Sequence, residues 1–346
     1  MKADTATVKD VARHAQVSLA TVSRVINGAD NVSPHIRQKV QDSIKALNYF
    51  PNNAARALVR RKADSIAILI RNLHSTFFSD LIHGMEDGGR AKNLNVLFCS
   101  MGKEQENRDR YIQFLTNGIT DGIILYGPLF SDQPIIEHLH GVKFPFLLIE
   151  NNFQSLPVHQ ILINNQDGAR VAVEHLIELG HTKIVHFMGD PNRKINLDRF
   201  NGYLYTMHAH GLNMGEHYVR HIGQDSEAAY SIAREMMRLP SQERPTAIFC
   251  SDDKIAAQAI MGIMDAGFSV PENVSVLCFD RLTHYEDQYR GPDFTYVGQP
   301  LYEIGRDSIM YLTEILEGNA QEPIMKTYDT TLVLGGTTAP PERSAQ

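Results

Sequence analysis

The 346-residue sequence predicts an all-α helix-turn-helix headpiece with a hinge helix, then an α/β core of two doubly wound parallel-sheet subdomains. Three observations predict this division. Residues 7–48 hold three short helical patterns, each with its own start or stop signal. From Ser65 onward, β-rich apolar runs alternate with amphipathic helical stretches. The charge also reverses: residues 1–62 carry 11 Lys and Arg against 4 Asp, a net +7, leaving −14 for the remainder.

In the headpiece, Thr7-Val8-Lys9-Asp10 reads as a capping box, and Val8, Val11, Ala12 and Ala15 recur at helical spacing. A tight turn through Gln16-Val17 leads to Ser18, an N-cap for a second helix that Gly28 stops after Asn27. Val22, Val25 and Ile26 form its buried stripe, while Leu19, Ala20, Thr21, Ser23, Arg24 and Asn27 face outward. A surface of short side chains around one Arg suits close approach to another macromolecule. A third helix starts at Ser33-Pro34, carries Ile36, Val40, Ile44 and Leu47 on one stripe and closes at Asn48. Two short helices joined by such a turn form the motif whose second helix enters the DNA major groove. A basic small domain on an acidic body fits phosphate binding at one end only.

Pro51 to Arg60 has a helix start at Asn52 and good helix formers, but it spans only about two turns. That is below the roughly 12–15 residues at which isolated helices become marginal in water, so this hinge helix is expected to order only against a partner. The core runs that follow are Ile66–Ile70, Val96–Cys99, Gly122–Leu125, Phe146–Ile149, Ile161–Ile163, Lys183–Phe187, Ala247–Cys250, Val274–Phe279 and Thr295–Val297. Helical stretches include Phe78–Lys92, Asp167–Leu179, Leu197–His210, Glu227–Arg238, Lys254–Ala266 and Leu301–Leu316. Such alternation implies parallel sheets covered on both faces, and so many strands imply two subdomains.

Composition excludes several classes. At 43% hydrophobic and 21% charged residues, the chain is an ordinary globular one, with no run of eighteen apolar residues and no apolar leader before the capping box. A cytoplasmic address and no membrane contact are expected. Cys99, Cys250 and Cys278 lie far apart in apolar stretches and read as buried free thiols. His208, His210, His217 and His221 follow no zinc-ligand spacing, so no metal or cofactor is expected. Motifs of dinucleotide binding, phosphate loops, serine hydrolases and zinc proteases are missing, which speaks against an enzyme.

In open parallel sheets, ligands bind beyond the carboxyl ends of the strands. The residues there are Arg71, Asn72, Ser100, Tyr126, Glu150, Gly189, Asp190, Ser251, Asp252 and Asp280. Carboxylates that accept hydroxyl hydrogen bonds, an Arg fork that donates, and aromatic rings over an apolar face suit a sugar. With no Trp, Tyr203, Tyr126, Phe77 or Phe78 must supply any stacking. Glu150, Asp252 and Asp280 make the site acidic, favouring a neutral or cationic sugar over a phosphorylated one.

Thr7–Ala12, Val17–Gly28 and Leu47–Asn52 resemble the headpiece of the lactose-repressor/galactose-repressor family, and the resemblance extends to about Ala339. It implies a sequence-specific DNA-binding repressor of a carbohydrate-utilisation operon that reads a pseudo-palindromic operator, with an α/β periplasmic-binding-protein-like core. The resemblance assigns DNA contacts to Thr7, Ser18, Leu19, Ala20, Thr21, Ser23, Arg24 and Asn27, and hinge contacts to Asn52, Ala55 and Leu58. Leu58 takes the place of the leucine that wedges into the minor groove at the operator centre, beside its twin in a homodimer. Asp198–Tyr203 is similar to the family stretch that makes Arg199 the ligand clamp, and Phe279-Asp280 to the strand end of sugar-responsive members. The resulting effector set is Phe77, Phe78, Tyr126, Glu150, Arg199, Asp252, Asp280 and Gln299.

The implied domains are 1–50, the hinge 51–64, and a core 65–340 split into 65–163 plus 298–325 and 164–297 plus 326–340, with a tail 341–346. Gly335 stands where the family usually has Arg, and the zipper that makes some members tetramers is missing, which favours a dimer. Gln299–Gly305 is similar to a phosphocarrier-binding region, but the rest of that surface is not evident and no such partner is expected. The alternatives are a regulator with a nucleobase corepressor and a sugar-processing enzyme with an accessory DNA-binding domain.

Overall fold

The computed structural model describes residues 6–26, 28–29, 31–50, 62–71, 73, 75–102, 105–150, 156–212, 215, 218–223, 225–282, 291–320 and 322–342. It forms two compact units, Met1–Ala63 and Asp64–Gln346.

In the first unit, α1 (Val8–His14), α2 (Leu19–Ile26) and α3 (Pro34–Ala46) close around Val11, Ala12, Ala15, Val22, Val25 and Val40. The capping box of α1 forms, with Thr7 donating to Asp10 from both its backbone N–H and its hydroxyl. The tight turn depends on Gln16, a non-glycine residue at φ +49.

The second unit holds two six-stranded sheets. The first contains β1 (Ser65–Ile70), β2 (Asn95–Ser100), β3 (Gly122–Tyr126), β4 (Phe146–Ile149), β5 (Gln160–Ile163) and β11 (Met325–Tyr328), in spatial order β11-β5-β4-β3-β1-β2, all parallel. The second contains β6 (Ile184–Gly189), β7 (Val219–Gly223), β8 (Ala247–Cys250), β9 (Ser275–Phe279), β10 (Thr295–Gly298) and β12 (Thr331–Val333), in order β12-β10-β9-β8-β6-β7. Among the described residues the β10–β12 edge pairs antiparallel and the other pairings of this sheet are parallel, as expected.

Strand β1 shows why both faces need cover. Ile66, Ile68 and Ile70 pack with Leu81 and Met85 of α4 (Ser79–Lys92) and Ile304 of α11 (Leu301–Leu316). Ala67 and Leu69 pack the other way, against α5 (Gln105–Thr116) and α6 (Gln133–Gly141). This period-two split of one apolar run is the signature of a doubly wound sheet. The second sheet is likewise covered by α7 (Asn165–Glu178) and α8 (Lys194–Ala209) on one face, and by α9 (Ala228–Met236) and α10 (Asp253–Asp265) on the other.

The chain crosses between sheets three times. The last crossing falls between Tyr328 and Thr331 rather than near Met325, because Met325–Tyr328 pairs in parallel with Gln160–Ile163 of the first sheet. Strands β7 and β11 were not expected at all. Both are sheet edges, β7 with one fully buried residue and β11 with none, so neither carries an apolar run. Cys250 and Cys278 are buried free thiols, whereas Cys99 is half-buried. No helix among the described residues is long and apolar enough to cross a membrane.

Candidate functional site

On α2, Ser18 Oγ accepts a hydrogen bond from the Thr21 N–H at 3.1 Å, tying down one of the free donors of the first turn. Val22 and Val25 are buried, so helical geometry turns Leu19, Ala20, Ser23 and Arg24 outward. Leu19 is 46% exposed. Thr21 is half-buried, and its hydroxyl lies 2.8 Å from Ser18 Oγ. The hydroxyl of Thr7 is engaged in the α1 capping box. Asn27, Asn52, Ala55 and Leu58 lie outside the described residues.

In the second unit, all eight residues expected at the effector site line one cavity of about 390 Å³ at the carboxyl ends of the strands. From the strand-end reading, Arg71 and Asp190 also line it, whereas Ser100, Gly189 and Ser251 do not, and Asn72 lies outside the described residues.

Arg199 occupies the centre. Gly202, one turn further along α8, permits this: a Cβ there would lie 2.3 Å from the Gln166 carbonyl oxygen, so only glycine lets α7 and α8 approach this closely. The contact brings Arg199 Nε to 2.8 Å from Asn165 Oδ1, and Nη1 donates to the Ser251 carbonyl at 2.6 Å. The guanidinium lies 3.8 Å above the Phe279 ring, and Nη1 is 3.7 Å from Asp280 Oδ2. At 1% exposure it is a buried cation that needs this company.

Glu150 and Asp280 repeat one device in the two sheets. Each follows its strand in a left-handed conformation, at φ +69 and +71, and each donates its N–H to the neighbouring strand, to Ile161 and Val297 respectively. Left-handed backbone is uncommon for side-chain-bearing residues and turns these carboxylates toward the cavity. Burial pushes Asp280 up to about 7 against the opposing pull of Arg199, and Gln299 Nε2 donates to its Oδ1 at 2.6 Å. Burial also raises Glu150, with Arg193 and Arg199 opposing. Asp252 caps α10 through Ile255 N–H and is raised by burial and by its neighbour Asp253.

Two buried polar atoms on cavity-lining side chains, Arg199 Nη2 and Gln299 Oε1, have no hydrogen-bond partner among the described residues, and the Tyr126 hydroxyl faces the Glu150 carboxylate. Phe77, Phe78 and Tyr126 form an edge-to-face run with centroids 5.0 and 5.1 Å apart. Sequence reasoning missed Arg193, Asn196, Ser226 and Lys254, which also line the cavity. They sit in loops or first helical turns beyond the strand ends, so extending the strand-end rule through each βα loop finds them. With Arg71, Arg193, Arg199 and Lys254 beside five carboxylates, the cavity is close to charge balance rather than acidic. No cluster of three metal-ligating side chains occurs among the described residues.

A model of the bacterial regulatory proteins of the lacI family matches residues 7–52, and one of a periplasmic binding protein-like domain matches residues 173–338. Catabolite control protein A of Priestia megaterium is 31% identical over 316 residues, 90% of this chain and 92% of that protein. The chain belongs to the lacI family.

This lacI-family protein is therefore a DNA-binding transcriptional repressor and not an enzyme. The repressor PurR of Aliivibrio salmonicida (strain LFI1238) is 26% identical to it over 317 residues, 92% of this chain and 94% of that protein. Its fold matches the lac repressor dimer bound to operator and the anti-inducer ONPF, with a TM-score of 0.85 and 25% identity over 97% of this chain and all of that one. A complex of the regulator CelR with cellobiose aligns with a TM-score of 0.72 and 26% identity, covering 96% of this lacI-family chain and 99% of CelR.

Proposed function

We propose that this repressor binds a pseudo-palindromic operator as a homodimer and is controlled by a small sugar-like effector in the cleft, centred on Arg199 and Asp280. The observation that supports this reading is that Arg199 Nη2 and Gln299 Oε1, two buried polar atoms without a hydrogen-bond partner among the described residues, sit on side chains lining one cavity. Buried polar groups are nearly always satisfied, and a polyhydroxylated ligand offers a donor or an acceptor to each. The aromatic run favours a sugar over a nucleobase. Its rings meet edge-to-face at 75° and 82° and so present no pair of parallel faces to sandwich a base.

On the DNA side, Arg24 supplies a bidentate contact to a guanine, and Leu19 and Ala20 pack on thymine methyls. Thr7, Ser18, Thr21 and Ser23 hold phosphates. Control follows from linkage: an effector that prefers one relative angle of the two sheets shifts the dimer between states that do and do not grip DNA. The protein acts in the cytoplasm, where the operator lies.

The test is a panel of sugars and nucleobases read by thermal shift, since a ligand bound only by the native state raises the melting temperature. Sugars are expected to raise it, and calorimetry on an Arg199→Ala, Asp280→Ala double variant should show the affinity lost. A nucleobase that binds while every sugar fails overturns the effector class.

A further inference from the structure

Two cavity-lining arginines approach Gly127 from the sides of different sheets. Arg71 follows β1 of the first sheet, and its Nε reaches the Gly127 carbonyl at 3.4 Å. Arg193 comes from the second sheet's side, just before α8. A methyl group built on Gly127 would lie 3.7 Å from Glu150 Oε2 and 3.9 Å from Arg193 Nη2. Arg71 is held by Asp132, which also pairs with Arg108 at 3.1 Å. Arg193 is half-buried and makes no hydrogen bond or ion pair with a described side chain. Burial and then the Arg108 and Arg193 charges hold Arg71 below its ordinary range, with Asp132 opposing.

Arg71 is taken up by Asp132, while the Arg193 guanidinium lies near Glu150 and within reach of the Asp252 charge without hydrogen-bonding either. Its fork is therefore open to a ligand. The other lining carboxylates are engaged: Asp190 accepts from Asn192, Asp252 from Ile255 N–H, and Asp280 from Gln299.

We infer that the effector is a sugar acid, whose carboxylate sits between Arg71 and Arg193 while its hydroxyls meet Arg199, Asp280 and Gln299. A guanidinium fork matches a carboxylate in shape, and a cavity already lined by five carboxylates takes one added negative charge more readily than the two of a phosphate. This inference rests on the sugar reading of the same cavity, and it makes Arg193 the residue that sets specificity.

Calorimetry on the full-length protein tests it with three matched probes: hexoses, the corresponding uronates and aldonates, and hexose 6-phosphates. The acids are expected to bind at least tenfold more tightly than the other two classes. Arg193→Met should bring the acid-to-neutral ratio close to one, and Arg193→Lys should restore part of it, because lysine keeps the charge without the fork. Neutral sugars binding as tightly as the acids would overturn this inference and leave the sugar reading standing. Tighter binding of the phosphates, or an unchanged preference in Arg193→Met, would overturn it too. Failure of all three classes to bind would remove both readings.

Discussion

Two arginines mark the contrast between the headpiece and the cleft. Arg24 stands exposed on α2, with its helix anchored from behind by Val22 and Val25. Arg199 is 1% exposed, and its guanidinium meets Asn165, the Ser251 carbonyl, the Phe279 ring and Asp280. On α2, therefore, the side chain proposed to read DNA is not among those that hold the fold. In the cleft, the group proposed to clamp the effector also holds the fold. Function and stability can be separated by mutation in the first region and cannot in the second.

The largest effect expected from this difference is at Arg199. Arg199→Ala leaves Asp280 buried without its cation and strips a donor from Asn165 and Ser251, a loss of about 3–5 kcal/mol of core stability. Urea unfolding of the core measures it. An unfolding midpoint equal to that of the wild type would show that the cleft is as separable as the headpiece.

The same contrast explains what could be read from the sequence. The cap, apolar stripe and stop of α2 lie within Ser18 to Gly28, so local rules suffice to find its outward face. Arg199 and Asp280 were also legible, one through a family motif and the other as the residue after an apolar run. Arg193 was not, because its meeting with Arg71 and Glu150 across Gly127 exists only once the two sheets are assembled. The left-handed backbone of Gln16, Glu150 and Asp280 was equally hidden, since none is glycine and tertiary contacts impose it. Strands β7 and β11 escaped for a third reason: an exposed edge has no apolar pattern to read.

The pH response sharpens the comparison next. Burial raises Asp280 from 3.8 to about 7. A raised carboxyl binds its proton more tightly in the folded state, so its contribution to stability is full below about pH 4 and is lost as pH rises toward 7. The loss reaches at most about 4 kcal/mol, at roughly 1.36 kcal/mol per pH unit. Asp280→Asn lacks this contribution. Glu150 and Asp252, raised in the same direction, remain in both proteins and largely cancel in the difference. Urea midpoints at pH 5 and pH 7.5 are expected to fall more in the wild type than in the variant, and parallel profiles would refute the assignment. The headpiece contributes the opposite sign. Asp10 is held below its ordinary value first by the Thr7 hydroxyl, so its contribution is lost on acidification.

On α2 the expected effects are smaller and confined to DNA. Arg24→Ala is expected to cost about 1–3 kcal/mol of operator affinity, at one base position, in a binding titration. Its melting temperature should stay close to that of the wild type, because exposed positions away from caps and cores usually lie within about ±0.5 kcal/mol. An equal loss on random duplex would reject base reading by Arg24.

At Ser18 of the headpiece the two roles meet. Its Oγ accepts from Thr21 N–H, and the same hydroxyl is proposed to hold a phosphate. Ser18→Ala removes both roles and should destabilise the headpiece by about 1 kcal/mol, seen in amide exchange of α2, with core unfolding unchanged. Ser18→Asp separates them. Aspartate caps a helix as well as serine does, so the exchange rates should stay near wild type, while its charge repels the phosphate and weakens binding to operator and random duplex alike. If Ser18→Asp grips the operator as tightly as the wild type, Ser18 serves the fold alone.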